Sequence, residues 1–365
     1  MRNRWITLLL FSAAFATAQD YKTQDYETSQ PGYTFEFPRD YFNHENYQTE
    51  WWYYTGNLKS ADGHRFGFEL TFFRQGVSRA DNTSPWFVHD LWMAHLTLSD
   101  INGQHFYSED RLNRAGPGVA GVDAQNGLVW NGNWQAHIAE HREELRSVAD
   151  KFGLALELVP VKQPVIQGQN GLSQKAEGTG HASHYFSLSR LMTTGSIDLD
   201  GKISQVQGTS WMDHEFFTGS MAANETGWDW LSLQLEDGTE LMLYRLRHKD
   251  GSIDPYSSGS YVDANGKSQF LSARDFTMMP MAVTWTSPPT KATYTVRWHI
   301  SIPRLKTELD ITTPLISQEL NGRFGPSYWE GAIDAAGVRD QSPLHGVGYL
   351  EMTGYAKAGE PVISR

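Results

Sequence analysis

Residues 210–217 read SWMDHEFF and place three ionisable side chains in a row between aromatic ones. Burial among aromatic rings removes water from a carboxyl group and raises its pKa, so Asp213 could hold a proton near neutral pH. Aromatic faces carry negative quadrupole charge and stabilise a developing carbocation as they do any cation. Asp213 is therefore a candidate proton donor for the hydration, isomerisation or cyclisation of an apolar substrate.

The order of these side chains limits how many of them can reach one pocket. Alternate side chains of a strand point to opposite faces, so Asp213 and Glu215 share one face and His214 lies on the other. We assign Trp211, Asp213 and Glu215 to the pocket face. His214, or His184 upstream, could orient the acid or a water molecule. Alternatively, the three ionisable groups form a buried hydrogen-bond network that ties two strands together.

A second acid stands beside tryptophans in the cluster EWWYYTG, residues 50–56. Glu50 and Trp52 are candidate ligand-binding residues, as is Trp230 in the cluster GWDWLSL. Alternatively, Glu50 is the buried partner of an arginine such as Arg74 or Arg245, because arginines close the neighbouring hydrophobic strands.

Several common chemistries have no support in the sequence. The absence of cysteine excludes disulfides, thiolate zinc sites, iron–sulfur clusters and thiol nucleophiles. No G-x-S-x-G, H-E-x-x-H or P-loop motif is present, so a hydrolase is the weaker alternative. His137 and His141, and likewise His181 and His184, have spacings that could ligate a metal, but neither pair has an adjacent carboxylate pattern. We predict no cofactor and no metal site.

The elements that position these residues are predicted to be antiparallel strands. Asp-Gly and Asn-Gly pairs, which suit tight hairpins, recur along the chain between alternating apolar segments. Residues 231–246 form the clearest hairpin, with its turn at Asp237-Gly238. Residues 135–151 are the best helix candidate, although their periodicity is ambiguous. The 13 Trp, 16 Tyr and 18 Phe suit either a large β core or an apolar cavity.

A weak internal echo predicts two related modules. Residues 51–74 and 228–247 both start with paired aromatics, reach an Asp-Gly turn and return on a strand that ends in arginine. We place an N-terminal extension at 19–40 and the two domains at 41–200 and 201–365. Tyr328, Glu330 and Glu351 are expected to help close the second domain.

The N-terminus and the charge indicate an exported protein. Two arginines, a short apolar run and Ala-Thr-Ala predict a signal peptide over residues 1–18, and no later segment is long and apolar enough to span a membrane. The formal net charge of −12 makes nucleic acid and anionic membranes poor partners. We expect a bacterial periplasmic or secreted protein with no stable membrane insertion.

Seven aromatic and acidic clusters, in this order, resemble the carotenoid 1,2-hydratase (hydroxyneurosporene synthase) superfamily and its secreted AttH-type branch. They are EWWYYTG, HDLWMAHLTLSD, HYFSLSRL, SWMDHEFF, GWDWLSL, YWEGA and GYLEMTGY, and the likeness runs from about Tyr41 to Tyr355. The resemblance implies an all-β fold of two lipocalin-like antiparallel barrel or sandwich domains, packed together with a pocket between them. It also implies that an export-type ABC transporter is a possible partner.

The resemblance also implies site residues. In the hydratases, the acid of an aromatic-x-Asp motif protonates an isoprenoid double bond; that motif matches Trp211 to Asp213 here, and an upstream His-x-aromatic motif matches His184 to Phe186. Phe186 and Trp211 stand where the hydratases would carry Trp and Tyr, so the pocket wall differs from theirs. We predict an apolar isoprenoid- or polyketide-like ligand, catalytic Asp213 and His184, and a wall that includes Phe186, His214 and Glu215. The rival prediction is a non-catalytic carrier of a lipid or hydrophobic metabolite.

Overall fold

The computed structural model describes residues 26–84, 86–219 and 221–356. The predicted signal peptide and the first part of the N-terminal extension lie outside these ranges. The described residues form strands, joined by turns and by two short 3-10 helices at Arg39–Tyr41 and Pro303–Leu305. The all-β prediction is confirmed. No helix among the described residues is long and apolar enough to cross a membrane.

The first sheet contains thirteen strands and curves into a nearly closed barrel. Its strands pair in the order β4-β3-β2-β1-β13-β12-β9-β8-β7-β6-β5, and β10 and β11 each pair with β12. The strands are β1 (Thr49–Ser60), β2 (Arg65–Gly76), β3 (Asp90–Asp100), β4 (His105–Arg114), β5 (Ala120–Asp123), β6 (Leu128–Asn131), β7 (Trp134–Ala139), β8 (Arg142–Val148), β9 (Phe152–Pro160), β10 (Val165–Ile166), β11 (Ser173–Gln174), β12 (Ala182–Leu199) and β13 (Lys202–Phe217).

The second sheet contains ten strands and forms a half-barrel. Its order is β17-β16-β15-β14-β25-β24-β22-β21-β18, with β23 paired to β24, while β19 and β20 form a separate hairpin. The strands are β14 (Glu225–Leu235), β15 (Glu240–His248), β16 (Ser258–Val262), β17 (Ser268–Ser272), β18 (Thr277–Pro280), β19 (Thr284–Thr286), β20 (Thr293–Thr295), β21 (Arg297–Ile302), β22 (Thr307–Thr312), β23 (Glu319–Leu320), β24 (Tyr328–Arg339) and β25 (Ser342–Met352).

The internal echo in the sequence corresponds to a repeated topology. The hairpin β1–β2 turns at Gly63 and the hairpin β14–β15 turns at Gly238, both with positive φ, which glycine adopts without strain. In each sheet, the first strand of this hairpin also pairs with the last strand of the same sheet, β13 or β25. The hairpin prediction for residues 231–246 is confirmed.

The helix prediction for residues 135–151 is wrong. This segment forms β7, β8 and their turn, with β7 paired to β8 from Gln135 to Ala139. Burial alternates along β7: Ala136 and Ile138 face the core, whereas His137 is exposed. A period of two is the strand period, and packing inside the barrel selects it over local helix propensity.

The predicted division at residue 200 falls in the turn between β12 and β13. These two strands pair along almost their whole length in the first sheet, and β13 also pairs with β1. The change of sheet comes between Phe217 and Glu225. As a border between the sheets, the predicted position is therefore one strand too early. The internal similarity in the sequence locates the two hairpins, but it does not show that β13 still belongs to the first sheet.

Each sheet encloses its own apolar core, and a third buried cluster joins them. Tyr53, Tyr185 and Trp211 of the first sheet pack there with side chains of the second, including Trp230 and Tyr244. The backbones approach closely beside this cluster: a Cβ on Gly67 would lie 2.8 Å from Cβ of Ala332. The two sheets are therefore packed against each other through large aromatic side chains.

Candidate functional site

A cavity of about 420 Å³ lies between the two sheets. Its wall is largely aromatic and apolar, with a few titratable groups, which is the usual make-up of a small-molecule site. The first sheet and its loops contribute Thr49, Trp51, Tyr53, Phe73, Lys175, Gly180, His181, Ala182, Ser183, Tyr185, Asp213, Glu215, Phe217 and Gly219, and the second contributes Met221, Glu225, Trp228, Trp230, Tyr244, Leu246, Tyr328 and Glu351.

Strand register explains why the acids of SWMDHEFF reach this cavity. Asp213 on β13 pairs with Tyr53 on β1 and with Ser187 on β12. Glu215 pairs in the same way with Trp51 and Tyr185. Directly paired residues share a face of the sheet, so these two rows form one wall. The structure brings Asp213 and Glu215 to the cavity, as the alternation indicated.

Asp213 is a buried carboxyl group with three hydrogen-bond donors. Its Oδ2 accepts a hydrogen bond of 2.7 Å from Tyr185, and its Oδ1 accepts one of 2.7 Å from Trp211 Nε1 and another from Ser187. Burial raises the pKa of Asp213 to about 7, although the three donors act in the opposite direction by stabilising the carboxylate. The group can therefore release and regain a proton near neutral pH.

Glu215 is ion-paired at the same wall. Lys175, which directly follows β11, places its Nζ 3.1 Å from Glu215 Oε1, and Ser183 donates a hydrogen bond to the same oxygen. Burial lowers the pKa of Lys175, but Glu215, Tyr244 and Asp213 together act against it, so that the net pKa is raised. The cavity thus holds an ammonium–carboxylate pair beside the neutralisable acid Asp213.

The second sheet contributes another acid. Glu351 on β25 lines the cavity and accepts a hydrogen bond of 2.9 Å from Trp228 Nε1. Burial raises the pKa of Glu351 to about 8, and the nearby carboxylates of Glu69 and Asp213 add to the rise. Glu351 can therefore also hold a proton near neutral pH.

Two of the three predicted tryptophans, Trp230 and Trp211, occupy different places around the cavity. Trp230 lies on the wall, with its ring 5.4 Å from the Tyr53 ring in an edge-to-face arrangement. Trp211 is buried behind the wall and contacts the site through its hydrogen bond to Asp213. It fixes the orientation of the acid and offers no surface to the cavity.

Glu50 and His214 lie on the opposite face of the first sheet, inside its barrel. This corrects their assignment to the ligand-binding wall, whereas the expectation that His214 faces away from Asp213 agrees with the structure. His214 Nε2 lies 2.8 Å from Glu50 Oε1, and Arg74 Nε donates to Glu50 Oε2 at 3.0 Å. His44 adds contacts from its backbone and ring nitrogens. The physical reason is the alternation of side chains along each strand. Even-numbered residues of β1 pair with even-numbered residues of β13, so Glu50 and His214 share one face while the odd-numbered Asp213 lies on the other. The alternative interpretation, Glu50 as a buried partner of Arg74, is confirmed.

His184, Phe186 and Trp52 also face the barrel interior and do not line the cavity. Phe186 and Trp52 pair on either side of His214, so the three rings form one row on that face. The His184 ring stacks 4.4 Å from the Tyr33 ring, and its Nδ1 lies 3.1 Å from the Gly171 carbonyl oxygen. The prediction of His184 as a catalytic group next to Asp213 is therefore not matched by its position.

His44, Glu50 and His214 could supply three metal-ligating atoms, all within 4.8 Å of one another. The donor chemistry here favours a network without a metal. Arg74 neutralises the Glu50 carboxylate. Burial disfavours the charged form of His44, but Asp40 and Glu50 accept hydrogen bonds from its ring, so the pKa of His44 is raised. Both ring nitrogens of His44 are engaged by carboxylates, Nδ1 by Glu50 and Nε2 by Asp40, so neither is left free for a cation.

Sequence reasoning missed three groups at the cavity. Tyr185 follows His184, and alternation could have placed it with Asp213 once strand pairing was known. Glu351 is predicted to help close the second domain. It stands two residues after Tyr349, and this spacing does not indicate that its side chain faces the first sheet. Lys175 stands in a region without strong periodicity, so no pattern in the sequence indicates its position.

The chain is similar to known proteins in both sequence and fold. The AttH-like family model matches residues 28–355. The crystal structure of an AttH protein from Nitrosomonas europaea is 34% identical, with a TM-score of 0.82 over 91% of this chain and 100% of that chain. No curated protein matches the chain.

Two more distant structures share the fold. Kievitone hydratase from Nectria haematococca is 16% identical, with a TM-score of 0.65 over 91% of this chain and 97% of that chain. The protein CghA is 14% identical, with a TM-score of 0.52 over 86% of this chain and 90% of that chain. At these identities the likeness concerns the fold.

Proposed function

The chain belongs to the AttH-like family, and we propose that it binds an apolar small molecule between its two sheets and adds a proton to it from Asp213. The carbon skeleton of this molecule is isoprenoid- or polyketide-like. The observation that carries the proposal is one buried carboxyl group, with a pKa raised by burial to about 7, on the wall of an aromatic cavity. The likeness in fold to a hydratase supports the same class of reaction.

The chemistry proceeds from the protonated form of Asp213. Its proton adds to one carbon of a double bond, and the positive charge forms on the neighbouring carbon, where the rings of Trp51, Trp228 and Trp230 can face it. Tyr185, Ser187 and Trp211 stabilise the carboxylate that remains, since each donates a hydrogen bond to it.

Two outcomes follow from the cation. Water can add to it and pass a proton back to the Asp213 carboxylate, which completes a hydration. Alternatively, a neighbouring carbon can lose a proton to the same carboxylate, which completes an isomerisation. Both routes regenerate the acid and need no cofactor.

A non-catalytic carrier is the second candidate function. The observation that favours it is the apolar, aromatic wall, which would hold a hydrophobic metabolite without any reaction. The three donors to Asp213 would then orient a group that only binds. The two functions differ in whether the bound molecule is converted.

The test begins with the molecule that the protein carries. Mass spectrometry of ligand extracted from purified protein identifies its chemical class, and incubation with that molecule measures turnover. Asp213→Asn should keep binding and lower turnover by about 10²–10⁴-fold, the usual contribution of a general acid. Full turnover in this variant would contradict the proton-donor role.

Glu143→Gln is the matched control. Glu143 is also a buried carboxyl whose pKa burial raises to about 7, but it lies on β8 and does not line the cavity. Its substitution should leave turnover unchanged. Tight binding without conversion in the unmodified protein would favour the carrier.

Export rests on the N-terminal sequence alone. We place the protein in the bacterial periplasm or outside the cell, with an export-type ABC transporter as a possible partner. Cell fractionation together with N-terminal sequencing of the mature protein tests this location, and a cytosolic protein that retains residues 1–18 would contradict it.

A further inference from the structure

The cavity wall carries a lysine that the acid chemistry of Asp213 does not use. Among the described residues on this wall, Lys175 is the one lysine or arginine. Its Nζ lies 3.1 Å from Glu215 Oε1, 4.3 Å from the centre of the Tyr244 ring and 5.3 Å from the centre of the Tyr185 ring. A carboxylate and two ring faces therefore fix the ammonium group in place.

This ammonium group has donors to spare. It carries three N–H groups, and Glu215 is the one described residue with which it forms an ion pair or a hydrogen bond. A charged donor on a largely apolar wall forms a strong hydrogen bond with an acceptor placed beside it. An oxygen atom of a bound molecule would supply that acceptor.

The charge balance of the wall indicates what kind of oxygen this is. Lys175 and Glu215 cancel each other, and burial raises the pKa of each of the other three carboxyl groups on the wall, Asp213, Glu225 and Glu351. A bound anion would leave an uncompensated negative charge among apolar side chains, which is costly. A neutral oxygen would not.

We propose that Lys175 anchors the substrate through a hydroxyl or carbonyl oxygen, and that the substrate is a neutral, largely apolar molecule with such an oxygen. This inference rests on the proposed function, because it concerns ligand binding in the same cavity. Lys175 holds the oxygen, the aromatic wall holds the carbon skeleton, and the double bond is thereby presented to Asp213. The lysine is a binding residue and takes no part in the proton transfer.

Three ten-carbon isoprenoid probes test the anchor. Geraniol carries a hydroxyl group, myrcene is a hydrocarbon and geranate is a carboxylate. Each is titrated into the protein at neutral pH, with quenching of tryptophan fluorescence as the signal, since Trp51, Trp228 and Trp230 line the cavity. The unmodified protein should bind geraniol about tenfold more tightly than myrcene, or better, and should bind geranate less tightly than geraniol.

Two variants separate the hydrogen bond donated by the Lys175 ammonium group from the net charge of the cavity wall. Lys175→Met with Glu215→Gln removes the pair while keeping the wall neutral and similar in volume, and it should bind geraniol and myrcene equally. Glu215→Gln alone leaves the ammonium group without its counter-ion, so geranate should become the tightest of the three probes.

The outcomes are distinct from those that test the proton donor. Equal binding of geraniol and myrcene by the unmodified protein would overturn the anchor, as would a preference for geraniol that survives in the double variant. If the double variant does not fold, as judged by circular dichroism, the selectivity of Glu215→Gln decides. Asp213→Asn should keep the preference for geraniol whether or not it abolishes turnover, so loss of catalysis leaves this inference intact.

Discussion

At the residue scale, the two acids of SWMDHEFF differ in what compensates their burial. Glu215 has a lysine beside it, whereas Asp213 has three neutral donors. A cation stabilises a buried carboxylate more strongly than a neutral donor does, because its interaction with the negative charge is between full charges. Asp213, whose pKa burial raises to about 7, can exchange a proton near neutral pH.

The donors to Asp213 should control its acidity. Tyr185→Phe removes one hydrogen bond to the carboxylate, and such bonds to charged groups contribute about 1.5–3 kcal/mol. The pKa of Asp213 should therefore rise, by about one to two units. Carboxyl-carbon chemical shifts followed by NMR against pH would measure the change. Tyr244→Phe removes a hydroxyl that contacts Ser173 and Ser258 instead of Asp213 and is the control; a lower Asp213 pKa in Tyr185→Phe would contradict the assignment of the donors.

The acid inside the barrel has a structural role that predicts a different response. Glu50→Gln removes one of the two carboxylates that pair with buried Arg74, the other being Asp90, and breaking such a buried pair costs about 3–5 kcal/mol of unfolding free energy. Urea unfolding measures this loss. Binding of geraniol by the folded variant should stay unchanged, because Glu50 does not line the cavity. A selective loss of binding with normal stability would restore Glu50 as a ligand-binding residue.

At the element scale, the strands rather than the motifs decide which predicted residues meet. Alternation placed Asp213, Glu215 and His214 on their correct faces from the sequence alone. It could not place His184, Phe186, Glu50 and Trp52, because their faces depend on the register with β13, and register arises from pairing across large sequence separations. The helix prediction at 135–151 failed for a related reason, since tertiary packing overrode an ambiguous local pattern.

The close approach of β2 and β24 can be tested by a paired exchange. Gly67→Ala should destabilise the protein by about 1–3 kcal/mol, because the added Cβ would come 2.8 Å from Cβ of Ala332. Ala332→Gly added to it should recover much of the loss. Thermal unfolding of the single and double variants measures both effects. Failure of the second substitution to rescue the first would mean that the contact between the sheets does not limit stability at Gly67.

At the scale of the whole molecule, the sequence predicted the fold class and the repeated hairpins better than it predicted which residues line the cavity between the sheets. Hairpin signals and the internal similarity are patterns that can be read directly from a single sequence. Lys175 and Glu351 reach the cavity through the packing of one sheet on the other, and no local pattern encodes that packing. A division at residue 200 was reasonable from symmetry, but β13 completes the first sheet.

Several buried carboxyl groups couple the stability of the molecule to pH. Glu143 is a clear example, since burial raises its pKa to about 7 in the folded state, against about 4.3 when unfolded. Between these two pH values the folded state binds more protons than the unfolded state. The contribution of Glu143 to the unfolding free energy is therefore fully present below about pH 4 and is lost as the pH rises through 7. Glu143→Gln should therefore stabilise the protein relative to the unmodified chain more at pH 8 than at pH 5.

Unfolding by urea at the two pH values measures this difference, which should be about 1–3 kcal/mol. Ser147→Ala, on the same strand, carries no titratable group and should show no such dependence on pH. An equal effect of Glu143→Gln at both pH values would contradict a raised pKa for this group.

The separation of the two cores from the cavity has a consequence for how this protein can diverge. Each sheet encloses its own apolar cluster, and the cavity wall is drawn from the third cluster and from neighbouring strand and loop residues outside the two cores. Substitutions on the wall can therefore accumulate in either half without emptying a core. Such a layout allows descendants of one ancestral chain to exchange one small molecule for another while their scaffold stays intact.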